Sequence, residues 1–90
     1  MTEIKNTKLT ENDTTGTLLA LCLNYAGEKG LDIPTIRSRV RVLGALEGIK
    51  VGGVIKLEDA DYATAQTVIK EVRWASVGKH LITFAEQFGV

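Results

Sequence analysis

Between Thr17 and Ala26 the chain reads TLLALCLNYA, and this run limits the possible folds more than any other stretch. Leu18, Leu21, Cys22 and Tyr25 follow i, i+3, i+4, i+7 spacing, while Leu19, Leu23 and Ala26 make a second apolar stripe beside the first. A helix apolar over so much of its circumference belongs at the centre of a core or in an interface. Asn12, Asp13, Thr14 and Thr15 supply N-cap side chains before it, and Gly27 and Gly30 fit its C-terminal stop. The spacing predicts a helix over roughly 14–26.

The rest of the chain has to cover that helix. In LDIPTIRSRVRVLGALEG, Asp32 is the natural N-cap and Pro34 falls in the first turn, where its missing N–H costs little. A second helix over roughly 33–47 follows. Ile33, Ile36, Val40, Leu43 and Leu46 or Glu47 trace its apolar face, Arg37 and Arg41 share another, and Arg39 lies roughly opposite them. Gly44 weakens this helix by about 1 kcal/mol relative to Ala and permits close approach of another helix. Gly48 is its C-cap candidate.

Gly52-Gly53 signals a turn, and residues 53–57 predict a short strand with Ile55 and Leu57 on one side and Val54 and Lys56 on the other. A third helix over roughly 59–74 buries Tyr62, Ala65, Val68 or Ile69, and Val72. A fourth over roughly 77–88, capped by Ser76, repeats Val77, Leu81, Phe84, Ala85 and Phe88. Residues 3–9 are an edge strand, or residues 1–12 a flexible arm. Ninety residues make one domain. The expected fold is therefore α+β, mostly α, with about four helices and one or two short strands.

Function classes are limited mainly by what the chain lacks. Eleven basic side chains balance eleven acidic ones, so no net charge draws the chain to nucleic acid or an anionic membrane. The N-terminal MTEIKNTKLTEND is polar and unlike a signal peptide, and Leu18–Leu23 is too short to span a bilayer. A single cysteine, Cys22, excludes an intramolecular disulfide and suits a reducing, cytoplasmic setting. Its apolar neighbours mark it as a buried small hydrophobe. His80, the only histidine, has no cysteine or second histidine near it with which to hold zinc.

Glu58, Asp59 and Asp61 crowd three carboxylates into four positions. As an EF-hand loop from Asp59, the stretch has Asp61 at the third position, but Ala63, Thr64 and Lys70 fail the fifth, sixth and twelfth. Asp59 as N-cap and Asp61 in the first turn, facing the positive end of the helix dipole, explain the cluster structurally. No nucleophile–base pair, phosphate-cradling loop or metal set is present. The expectation is a non-enzyme with no catalytic residue, cofactor or metal, and no small-molecule substrate is evident.

Two binding readings remain. One is a protein-binding module working as a homo-oligomer or on another protein partner. Its interface candidates are Leu19, Leu23, Trp74, Phe84 and Phe88, with Arg37 and Arg41 on the rim. Trp74, beside Arg73, either closes the gap between the third and fourth helices or forms a binding hot spot. The alternative is a DNA-binding regulator resembling a winged helix-turn-helix. In it Arg37, Ser38 and Arg41 of the helix from Asp32 face DNA and Gly52-Gly53 marks the wing. Against it stand the apolar surface of that helix, the missing basic strand of the wing and the zero net charge.

The order TLLALCLN, IRSRVRVLGAL and GVIKLEDADY, closed by an F…F segment, resembles small accessory proteins of tailed temperate bacteriophages over residues 14–88. The resemblance implies a non-enzymatic, protein-binding role in a bacterial host: assembly, regulation or inhibition of a host system. It carries over no functional residue.

Overall fold

A computed structural model describes residues 1–75 and 77–90. Element order is β1 (Thr2–Lys5), α1 (Thr15–Asn24), α2 (Ile33–Leu46), β2 (Val54–Leu57), α3 (Asp59–Glu71) and α4 (Lys79–Gln87). The fold is a mostly helical α+β domain. The two strands pair antiparallel, with Ile4 opposite Ile55 and Thr2 opposite Leu57. Strand alternation sends Ile4, Ile55 and Leu57 inward and leaves Glu3, Lys5, Val54 and Lys56 outside.

The N-terminus is a strand, but it ends at Lys5 rather than at residue 9. Beyond it the Asn6 N–H donates to the Gly53 carbonyl and the Asn6 carbonyl accepts from Gly52, both at 2.8 Å. Asn6 itself is buried. Its Oδ1 accepts the Gly16 N–H at 2.8 Å and its Nδ2 donates to the Ile49 carbonyl at 3.3 Å. One amide thus ties the strand end to the first turn of α1 and to the loop after α2, and leaves no orphaned polar group there.

Thr14 is the N-cap of α1. Its Oγ1 accepts from the Thr17 N–H at 3.2 Å, while Thr17 Oγ1 accepts from the Thr14 N–H at 2.7 Å, a reciprocal capping box. Of the two apolar stripes, the core takes the arc of Leu18, Leu19, Cys22 and Leu23 and leaves Leu21 exposed. α1 packs on α2 and α3, and β2 lies against α2 and α3. Val42, Ile55, Leu57, Ala65, Val68, Ile69, Val72, Phe84 and Phe88 complete the core.

Asp32 caps α2, accepting the Thr35 N–H at 2.9 Å, and Pro34 stands in the first turn. Gly48, at φ 74°, takes the left-handed position just past the helix, one beyond the C-cap Glu47. α3 begins one residue earlier than its acids suggest. Glu58 is the backbone N-cap with no side-chain bond, and Asp59 and Asp61 both sit in the first turn. The helix stops at Glu71, and Val72 is its buried C-cap.

α4 starts at Lys79, after the N-cap Gly78, so Val77 is outside it. The cap expected at Ser76 lies outside the described residues. Phe84 and Phe88 meet edge to face with centroids 5.5 Å apart, and Tyr62 stacks on Phe88 at 6.3 Å. Gln87 joins the two ends of the chain. Its Nε2 donates to the Lys5 carbonyl at 3.1 Å, and its Oε1 accepts from Thr15 Oγ1 at 2.8 Å.

Candidate protein-docking site

α2 turns Arg39 to the core beside Val42 and leaves much of its apolar stripe outside. Ile33 is 60% exposed, Val40 57% and Ile36 39%, whereas Arg39 is only 4% exposed. Helical geometry explains how the two go together. At 100° per residue, Val42, Arg39, Thr35 and Leu46 share one side, and Ile33, Val40, Ile36 and Gly44 fall on the other. The apolar stripe read along this helix is therefore outward from Ile33 to Val40. Only Leu43 and Leu46, nearer the C-terminus, tuck partly against the core.

Arg39 is held by groups far away in sequence. Its Nη1 donates to the Tyr25 carbonyl at 2.6 Å and the Leu23 carbonyl at 3.2 Å, and its Nη2 meets Glu71 Oε2 at 3.1 Å. The last carbonyls of a helix have no intrahelical donor and carry the negative end of its dipole. A guanidinium at the end of α1 satisfies both needs and reaches α3 with its other nitrogen. Nε is buried without a partner among the described residues. The charge is not stranded: two carbonyls and a carboxylate surround it.

Two clefts flank the outward face. One, of about 190 Å³, runs between Leu23, Asn24, Leu31, Ile36, Val40 and Leu43. The other, of about 330 Å³, continues from Leu43 along Thr17, Ala20 and Leu46 to Glu47. Leu43 is shared, so apolar surface extends from the C-terminal end of α1 to that of α2. A third cleft, of about 310 Å³, lies between α2 and α3 and is rich in hydroxyls. Ser38, Thr64 and Thr67 there donate to the Pro34, Ala60 and Ala63 carbonyls of their own helices at 3.0–3.2 Å. Their protons are committed to the backbone rather than to a neighbouring base.

The interface candidates divide sharply. Leu19, Leu23, Phe84 and Phe88 are in the core at 2% exposure or less, so the lone subunit already conceals them. Trp74 is partly buried against the same core. Arg37 and Arg41 are exposed on α2, and Arg41 meets Asp61 Oδ1 at 3.5 Å. Asp61 thus has an ion-pair role besides facing the helix dipole. The Gly52-Gly53 segment, which marks the wing in the DNA reading, pairs with Asn6 of the N-terminal segment.

Among the described residues, no three His, Cys, Asp or Glu side chains converge to hold a metal ion. No helix among them is long and apolar enough to cross a membrane. Cys22 is fully buried, and burial pushes its thiol from 9.0 up to about 11 against smaller opposing pulls from a backbone hydrogen bond and, less, from the Arg39 charge. The residues missed from sequence are Ile33, Ile36 and Val40 as surface and Arg39 as interior. One signal for them was present: a helix exposing Arg37 and Arg41 has to turn Arg39 away from solvent. No protein-family model, curated sequence or solved structure matches the chain.

Proposed function

We propose that the chain is a non-enzymatic protein-docking module whose contact surface is the outward face of α2. The reading rests on one observation: α2 buries an arginine and leaves Ile33, Ile36 and Val40 in solvent. A helix whose apolar stripe lies outside the core suits a second protein surface. Arg37 and Arg41 border the stripe as a polar rim, the usual arrangement around a desolvated contact centre. In keeping with the phage-type order of its elements, the role is that of a small accessory protein in the cytoplasm of a bacterial host. There it serves in assembly, in regulation or in inhibition of a host system.

Photo-crosslinking from the surface tests this. With a photoreactive side chain at position 40, irradiation in the host cell is expected to yield one discrete protein adduct, abolished by Ile36→Asp. The same probe at exposed Lys70 is the control. Equal, diffuse labelling from both positions would overturn the reading.

A further inference from the structure

We infer that the occupant of the α2 face is a second copy of this chain, lying antiparallel across it. The inference rests on the docking reading above and adds the identity of the partner. Arg37, Val40, Gly44 and Glu47 are spaced three, four and three residues apart along the outward side, a spacing that keeps one seam facing a neighbouring helix. The order of side chains along that seam is a cation, a branched apolar group, no side chain, and an anion. The midpoint of Arg37 and Glu47 is residue 42, and so is the midpoint of Val40 and Gly44.

A two-fold axis at the level of residue 42 therefore satisfies every position at once. It sets Val40 of each copy over Gly44 of the other and Arg37 of each beside Glu47 of the other. An isologous contact has to be complementary to itself in this way, whereas a surface made for an unrelated protein has no need to be. The charges agree with the packing. Arg37 and Glu47 are both exposed, and neither makes an ion pair among the described residues. Glu47 also stands at the C-cap of α2, whose last turn carries no basic residue to balance the helix dipole. An arginine from the second copy supplies that cation.

Gly44 has the space this requires. A Cβ built there meets nothing within 4 Å among the described residues, so its side of the helix is open to an incoming Val40. Arg41 comes near its own equivalent across the axis, but Asp61 already neutralises it. Ile36 and Ile33 fall opposite positions 48 and 51 of the second copy, past the end of its α2, so the central layer consists of Val40 and Gly44. A second copy thus covers Val40, at the centre of the contact, and pairs both unpaired charges.

Sedimentation equilibrium on the purified full chain, from micromolar to millimolar, tests the inference. Wild type is expected to pass from monomer to dimer. Arg37→Glu and Glu47→Arg are each expected to weaken self-association by at least about tenfold, because like charges then meet twice across the axis. Mixing these two variants in equal amounts, or combining both changes in one chain, is expected to restore the dimer. Both side chains are exposed, and melting curves taken alongside show that each variant is folded.

A wild-type chain that stays monomeric to millimolar concentration would overturn the inference independently of any variant. So would a dimer indifferent to the charge reversals, or one that the mixture fails to restore. A monomeric pure chain that still crosslinks from position 40 to a different protein would sink self-docking and leave the docking reading standing. Diffuse crosslinking would sink both.

Discussion

Arg39 fulfils three needs at one place, donating to the Leu23 and Tyr25 carbonyls and pairing with Glu71. Replacing it with Met keeps the aliphatic stem but leaves the Leu23 and Tyr25 carbonyls without their donor. The expected loss is about 3 kcal/mol or more, measured by urea unfolding. Glu71→Gln is expected to cost about 1 kcal/mol or less, because that carboxylate is 53% exposed and water replaces the lost partner. Equal effects from both changes would show that the ion pair, rather than the carbonyl contacts, holds α2. Cys22 gives a second residue-scale test. Its thiol keeps its proton in the folded chain up to about pH 11, while the unfolded chain loses it near 9.0. Folding is therefore favoured by the protonated thiol below pH 9, and the advantage declines as pH rises through 9 to 11, by up to about 1.4 kcal/mol per pH unit. The stability difference between wild type and Cys22→Ala should shrink over that interval. A difference independent of pH would refute the assignment.

At the scale of elements, what could be read in advance was what local chemistry decides. Asp32 and Pro34 start α2, Gly27 and Gly48 mark helix ends, and the alternation in VIKL tells Ile55 and Leu57 from Val54 and Lys56. The orientation of α2 was not legible, because periodicity identifies an apolar face without saying whether it points inward. Here the choice belongs to groups 14, 16 and 32 residues from Arg39, which no local window contains. The same limit applies to α1: with two adjacent apolar stripes, only the positions of α2 and α3 decide that Leu19 is hidden and Leu21 is not. Gly44 also belongs to this scale. It lies in open space on a helix interior, so Gly44→Ala is expected to raise stability by about 0.5–1 kcal/mol in the monomer. Thermal melts at low concentration measure this, and a fall in melting temperature would indicate a neighbour the glycine is needed to accommodate.

Over the whole molecule, the two chain ends and the sheet act as one unit. β1 supplies Ile4 to the core and is the partner of β2, and Asn6 and Gln87 fasten it to α1 and α4. Removing residues 1–5 is expected to expose Ile55 and Leu57 and abolish cooperative unfolding in calorimetry rather than merely trim a frayed end. A sharp transition at nearly the wild-type temperature would show that the strand is dispensable.

The grip of Arg39 on the end of α1 also fixes how α2 is turned about its own axis. Rolling the helix by half a revolution to hide Val40 would drag the guanidinium into water and strip two carbonyls of their donor. A greasy exterior is thus welded to a charged interior, and selection for one preserves the other. An escape from stickiness at this surface has to come from changing Ile33, Ile36 or Val40 themselves, since no repacking of the unchanged chain can withdraw them.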